Sequence, residues 1–307
     1  MFSWAVNRVP QALLALLGVS VITFVLLMTS GDPTFTLLAE TKGYTAVDIA
    51  RIRHEMGFDR PLYIQYLDYL WKVLHGNFGL SIHQGVPAAR LILERMPATI
   101  QLASSAMMLS VLVSVPVGVI AAMRRNTFYD TAAMFSALLG QSMPIFWLGI
   151  ILIQIFGVTL RWFPVSGRGD FRHLLLPTVA LAAFSTAQTA RMVRSAMLGV
   201  LNENYITVAR AKGIPEFKVM AKHALRNALL PVVTLLGIQF GSLLTGSIVT
   251  ETVFAWPGVG RLIVQSIANK DFPIVLAGVT LFSLVFVMIN LFVDTFYMLL
   301  DPKIAYK

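Results

Sequence analysis

Six stretches long enough to cross a bilayer contain no Asp, Glu, Lys or Arg. They run Val9 to Ser30, Ala98 to Met123, Thr131 to Leu160, Leu174 to Ala190, Asn227 to Thr250 and Phe272 to Val293. A spanning helix needs about 20 residues to cross about 30 Å of hydrocarbon, and within hydrocarbon every backbone polar group must find its partner inside the segment. The fold class expected is an all-α polytopic membrane protein with six transmembrane helices. Composition agrees: 57% of the 307 residues are apolar and 13% charged, against roughly 25% charged in soluble domains. The fourth window is the shortest, and Arg191 and Arg194 extend its helix by snorkelling. The third carries Ser142-Met143-Pro144, where the missing amide predicts a kink or break. The first follows Arg8 and ends in Thr29-Ser30-Gly31-Asp32-Pro33 with no small-x-small cleavage site, so it reads as a retained anchor rather than a signal peptide.

Basic residues in short loops set orientation. Arg124 and Arg125 separate windows two and three, and Arg191 to Arg226 holds seven basic residues against Glu203 and Glu216. These loops are assigned to the cytoplasm, which puts both termini there too. Gly31 to Pro97 and Glu251 to Asp271 are balanced in charge and are assigned outside; Arg161, Arg168 and Arg172 against Asp170 dissent mildly. The domain reading is an anchor at 1–30, an outer loop at 31–94, a five-helix core at 95–300 and a cytoplasmic tail at 301–307.

Two stretches outside the spans are structured. In the outer loop, Val47, Ile49, Ile52 and Met56 form a helical stripe stopped by Gly57, and a second helix starting near Asp59-Arg60-Pro61 buries Leu62, Tyr66, Leu70 and Leu74. The pair reads as a rim cover or a docking surface. On the inner side, residues 202–226 form a short helix ending at Gly213, a turn at Ile214-Pro215 and a second basic helix leading into the fifth span. Topology alone needs only a few charges beside a span, so two projecting helices imply a partner.

Several chemistries are excluded. There is no cysteine, no G-x-x-x-x-G-K-[ST] phosphate loop, and no pair of the five histidines at helical ligand spacing. The chain is not expected to be an enzyme or to hold a metal or cofactor. The net charge of +9 is spread between uncharged runs rather than gathered in a patch, so nucleic acid is not an expected partner. Ion-coupled carriers place ionisable groups at mid-membrane, whereas Glu251 and Asp294 lie at span ends. Energy for active transport would have to come from another subunit. The fifth span carries small residues at Gly237, Gly241 and Gly246 and polar ones at Gln239, Ser242, Thr245 and Ser247. They suit either close packing within the bundle or a lining for a pathway shared by two chains.

The inner segment reads Tyr205-Ile206-Thr207-Val208-Ala209-Arg210-Ala211-Lys212-Gly213, then His223-Ala224-Leu225-Arg226-Asn227-Ala228-Leu229-Leu230-Pro231. It resembles the inner loop of permease subunits of bacterial binding-protein-dependent ABC importers, in their peptide and nickel branch. The general signature there is Glu-Ala-Ala, three variable residues and Gly, with Leu-Pro further on. Anchored on Gly213, this chain keeps Ala209 and Leu225 and differs at Thr207, Val208 and Arg226. The likeness extends through Gly31-Asp32-Pro33, Gly57 to Tyr63, Gly76 to Ser81, Arg95 to Thr99, Glu251 to Phe254 with Pro257 to Gly260, and Asp294 to Tyr297 with Asp301 to Lys303.

The resemblance implies a type I ABC importer permease fold in the bacterial inner membrane, with a pathway formed beside a second permease subunit. Its other implied partners are two cytoplasmic ATPases that bind ATP and Mg, a periplasmic or lipid-anchored solute-binding protein, and the bilayer. Tyr205, Thr207, Ala209, Arg210, Ala211, Lys212, Gly213 and Pro215 would form the element docked on an ATPase. Ala209 and Ala211 would permit close approach, and Arg210 and Lys212 would meet acidic or carbonyl groups there or remain a solvated face. The implied cargo is a short peptide or a similar solute; nickel, glutathione, an opine or an oligosaccharide would use the same machinery. A passive channel, an ion-coupled carrier and a non-transporting scaffold are the competing classes.

Overall fold

The computed structural model describes residues 2–29, 54 and 59–300, with side chains described for 10–29, 54 and 59–291. The first outer-loop helix expected over Val47 to Met56, apart from His54, lies outside the described residues. Among the described residues the architecture is all-α. In chain order the helices are α1 (Phe2–Thr29), α2 (Leu62–Leu74), α3 (Ala88–Met123), α4 (Phe128–Ser142), α5 (Ile145–Leu152, continued as a π-helical segment Ile153–Thr159), α6 (Phe171–Leu201), α7 (Asn204–Ala211), α8 (Glu216–Val253), α9 (Val259–Ala268) and α10 (Phe272–Leu300).

Four of these are long and apolar enough to cross a membrane: Pro10–Thr29 of α1, all of α3, all of α8 and Phe272–Leu291 of α10. The third sequence window is broken rather than straight. α4 and α5 meet at 103° across Met143-Pro144, because Pro144 supplies no amide and pushes Met143 to an extended backbone (ψ 127°). Counted as one span, the pair raises the number to five. The fourth window falls within α6, which at 31 residues spans about 46 Å but is less apolar than the others. The exact number of six is thus finer than these helices by themselves define.

The chain divides into two compact units, one drawing on the described residues up to Ala98 and from Pro257 onward, the other comprising Thr99–Trp256. In the first, α1 packs on α10, and Phe24, Ile92, Ile263, Phe272 and Ile274 are buried together. α2 attaches to this unit through its tyrosines. Tyr66 shares a 2.8 Å hydrogen bond with Ser20 and an edge-on contact with Phe24, and Tyr69 shares one of 2.7 Å with Thr280. Leu62 and Leu74, expected to be buried, are exposed, lying at the two ends of the helix beyond the tyrosine contacts. The turn after α2 is fixed by Asp271, 3% exposed, which accepts from Ser81 Oγ at 2.5 Å and the Ile82 amide at 3.1 Å.

In the second unit, α6 lies at the centre and packs against α8, α4 and α5. α3 and α6 approach each other closely at Gly118. A Cβ at Gly118 would lie 2.7 Å from both the Ala190 carbonyl oxygen and Val193 Cβ, so only glycine fits. At the far end of α8, Glu251 is fully buried and accepts from Thr99 Oγ1 at 2.7 Å and Ser247 Oγ at 3.2 Å.

Candidate functional site

Residues 202–226 build a short helix, a tight reversal and the start of a long one. Ile206 and Ala209, three residues apart on α7, face inward and are buried with Ala122 of α3, Val193 and Met197 of α6, and Val219 and Ala224 of α8. α7 is therefore seated on three helices by apolar packing. Its end is a Schellman-type stop: the Gly213 amide donates to the Arg210 carbonyl at 2.9 Å and the Ile214 amide to that of Ala209 at 3.3 Å. Gly213 has φ 71°, and a Cβ there would meet nothing within 4 Å, so backbone conformation rather than space selects glycine. Pro215 then starts the next helix with a fixed φ of −54°. Two side-chain links brace the reversal. Arg210 Nη2 and Nε donate to the Glu216 carboxylate at 2.8 and 3.2 Å, and Asn227 Nδ2 donates to Tyr205 Oη at 2.9 Å. The Glu216 hydrogen bonds hold the Arg210 guanidinium above its ordinary pKa.

Two of these residues are engaged within the protein itself. Ala209 is buried against the protein's own helices. Arg210 is committed to Glu216, where an exposed pair is worth about 0–1 kcal/mol, and its charge is matched within the loop. Tyr205, Thr207, Ala211, Lys212, Gly213 and Pro215 are exposed. Sequence reasoning missed Val208, 51% exposed, and Phe217, 81% exposed. Phe217 stands beside Glu216 and Lys218 at the start of α8, outside the periodic stripe of Val219, Met220 and Ala224 that enters the core. That break in periodicity was the available signal. The chain from Glu216 to Val253 is continuous but passes through a π-helical segment, Val219–Leu225, directly after the exposed tip.

The polar residues of the fifth span divide into two groups. Gln239 is 5% exposed; its Oε1 accepts from Thr189 Oγ1 at 2.9 Å and its Nε2 donates to Gln188 Oε1 at 2.9 Å. Expected to face a pathway, it lines the cavity that Ser242 also borders and at the same time clamps α8 to α6, since a buried amide must satisfy both its ends. Gly241 is buried, Gly237 is half-buried, and Gly246 is half-buried with Leu181 Cδ1 3.7 Å from where a Cβ would sit. Ser242 and Thr245 are exposed, donating along their own helix to Ile238 and Gly241 carbonyls. Ser242 opens on a cavity of about 260 Å³ between α5, α6 and α8 that is also lined by Ile145, Phe184, Ser185, Gln188 and Gly246.

These features define a class: a polytopic helical membrane component with an internally braced helical loop between α6 and α8 and a mostly apolar cavity bearing a few polar groups. Similarity to known proteins carries it further. Residues 114–306 match the family described as binding-protein-dependent transport system inner membrane component, and residues 1–103 match the corresponding N-terminal family. The dipeptide transport system permease protein DppB of Escherichia coli (strain K12) is 37% identical, and the glutathione transport system permease protein GsiC of Salmonella choleraesuis (strain SC-B67) is 42% identical, each over 100% of both chains. Among solved structures, a chain of the MetNI methionine ABC transporter in inward-facing conformations superposes with a TM-score of 0.56 at 21% identity, over 67% of this chain and 94% of that one. That likeness bears on the fold alone. The chain belongs to the family of binding-protein-dependent transport system inner-membrane components. It is a permease subunit, a non-enzymatic part of an ATP-driven importer in which ATP is hydrolysed by separate chains.

Proposed function

We propose that this subunit carries short peptides, or peptide-like solutes such as glutathione, inward across the bacterial inner membrane. The relatives named for dipeptide and glutathione transport support that cargo. In this reading six spans cross the bilayer, counting α6 and the bent α4–α5 pair as one each, with both termini in the cytoplasm. A second permease subunit completes the pathway beside the Ser242 and Thr245 face of α8. A solute-binding protein delivers cargo from outside, and two cytoplasmic ATPases supply the energy.

The observation that carries the proposal is the construction of the inner loop. α7 is anchored by Ile206 and Ala209 and braced by Arg210–Glu216, while Val208, Ala211 and Phe217 are left facing solvent. Apolar side chains exposed on a braced projection suit a permanent partner surface, and here that partner is the ATPase. Reconstitution of the subunit with its partner permease, ATPases and binding protein tests the function. Uptake of a labelled di- and tripeptide mixture should require ATP on the ATPase side and stop when the ATPases are omitted. Flux that persists without ATP would identify a passive channel instead.

A further inference from the structure

Asp130 stands at the start of α4, on the side of the bundle where α3 and α4 are joined by Arg124 to Thr127. It is only 4% exposed, and both carboxylate oxygens are engaged: Arg194 of α6 donates Nε to Oδ1 at 2.6 Å and Nη2 to Oδ2 at 2.7 Å, and the Asn126 amide donates to Oδ2 at 3.0 Å. Asn126 adopts φ 60°, which turns its amide toward the carboxylate. The arrangement is a bidentate, charge-assisted fork, a contact that fixes orientation as well as distance.

Its neighbours make this pair more than one ion pair among several. Arg194 directly follows Val193, and both Val193 and Met197 belong to the apolar cluster that seats α7. That cluster includes residues of α3, α6, α7 and α8 and none of α4. Further along, α4 borders a cavity of about 600 Å³ that it shares with α3 and α6, lined on its side by Ala132, Ala133, Ser136, Ala137 and Gly140. Small side chains beside an open cavity interlock weakly, so they resist sliding less than a packed core does. α4 packs along α6 through small side chains, and at its inner end the Asp130–Arg194 fork ties it to α6 by charge. At its other end α4 breaks at 103° into α5, whose Ile145 lines the smaller cavity with Ser242.

We propose that the Asp130–Arg194 pair is a strut that makes α4, and the α5 segment beyond its bend, follow α6 when the inner loop is displaced. The two are positioning residues for translocation, not solute contacts. The inference rests on the assignment of the inner loop as the point where the ATPase acts. Without the strut, displacement of α7 still moves α6 and α8 through the cluster, while α4 slips along its small-residue face and the cavity beside Ser242 does not change shape in step.

The test uses the complete importer in liposomes, with the binding protein loaded from a labelled di- and tripeptide mixture. Three variants are compared: Asp130→Asn, Arg194→Lys and the exchange Asp130→Arg with Arg194→Asp. Arg194→Lys keeps the charge and loses the fork, so it remains informative where Asp130→Asn assembles poorly. The readouts are assembled complex, basal ATP hydrolysis, solute taken up per ATP hydrolysed, and crosslinking of an Ala211→Cys background to the ATPase. Single variants should keep the crosslink and basal hydrolysis yet deliver roughly 2- to 30-fold less solute per ATP, the range for substitutions along a coupling network. The exchange should recover part of the loss. A merely structural pair would lower the amount of complex and leave solute per ATP unchanged, which overturns the proposal. Absence of the Ala211 crosslink in the otherwise unaltered protein would instead overturn the docking assignment, so the two failures are distinct.

Discussion

Replacing Gln239 with leucine separates a structural clamp from a pathway residue. The change nearly preserves volume and removes both the acceptor for Thr189, itself fully buried, and the donor to Gln188. Hydrogen bonds between helices in a bilayer average about 0.6 kcal/mol and reach about 1.7. Losing two should therefore cost about 1–3 kcal/mol, a change of roughly 5- to 150-fold in the folded-to-unfolded ratio. Denaturant unfolding of the purified complex in detergent, followed by tryptophan fluorescence, should show an earlier midpoint for Gln239→Leu and uptake that falls only as assembled complex falls. Ser242→Trp should behave oppositely, because its side chain enters the cavity of about 260 Å³. Its unfolding midpoint should be unchanged while uptake stops. If Gln239→Leu unfolds like the unaltered protein and loses uptake selectively, the clamp reasoning is wrong and Gln239 faces solute.

Three further outcomes follow from the same geometry. Gly118→Ala should destabilise the complex by about 1–3 kcal/mol in the same assay, because its Cβ would overlap the Ala190 carbonyl, whereas Gly246→Ala should be tolerated with Leu181 at 3.7 Å. Gly213→Val places a β-branched residue at φ 71° in open space, so about 1–2 kcal/mol of backbone strain should lower binding-protein-stimulated ATP hydrolysis without reducing membrane insertion. Cysteines introduced singly at Gln84 and Lys218, both exposed, should label from opposite sides of the membrane, and labelling from one side would refute the orientation.

Much of the architecture is legible without coordinates because hydrocarbon imposes a blunt requirement. Uncharged windows mark where helices must run, and Pro144 marks where one must break. The inner loop is also readable, since Gly213 and Pro215 are punctuation whose backbone meaning is local. What the sequence conceals is direction around a helix. Ala209 and Ala211 are identical in type and two residues apart, yet one is buried and the other exposed, because the fourfold environment of Ala122, Val193, Met197 and Val219 exists only after folding. Gln239 and Ser242 are likewise three residues apart on one helix and border one cavity, yet Gln239 is buried by its bonds to Thr189 and Gln188 on α6 while Ser242 is exposed. The Asp130–Arg194 pair joins positions 64 residues apart and leaves no local pattern at all.

The central claim is that this permease is driven through its inner loop by a separate ATPase, and site-directed crosslinking tests it most directly. The chain has no cysteine, so single cysteines at Ala211 and Phe217, both exposed, and at Ile206, fully buried, report without background. In a complex that transports, the first two should crosslink to the ATPase and Ile206 should not. Failure of both Ala211 and Phe217 to crosslink in a transporting complex would contradict the account.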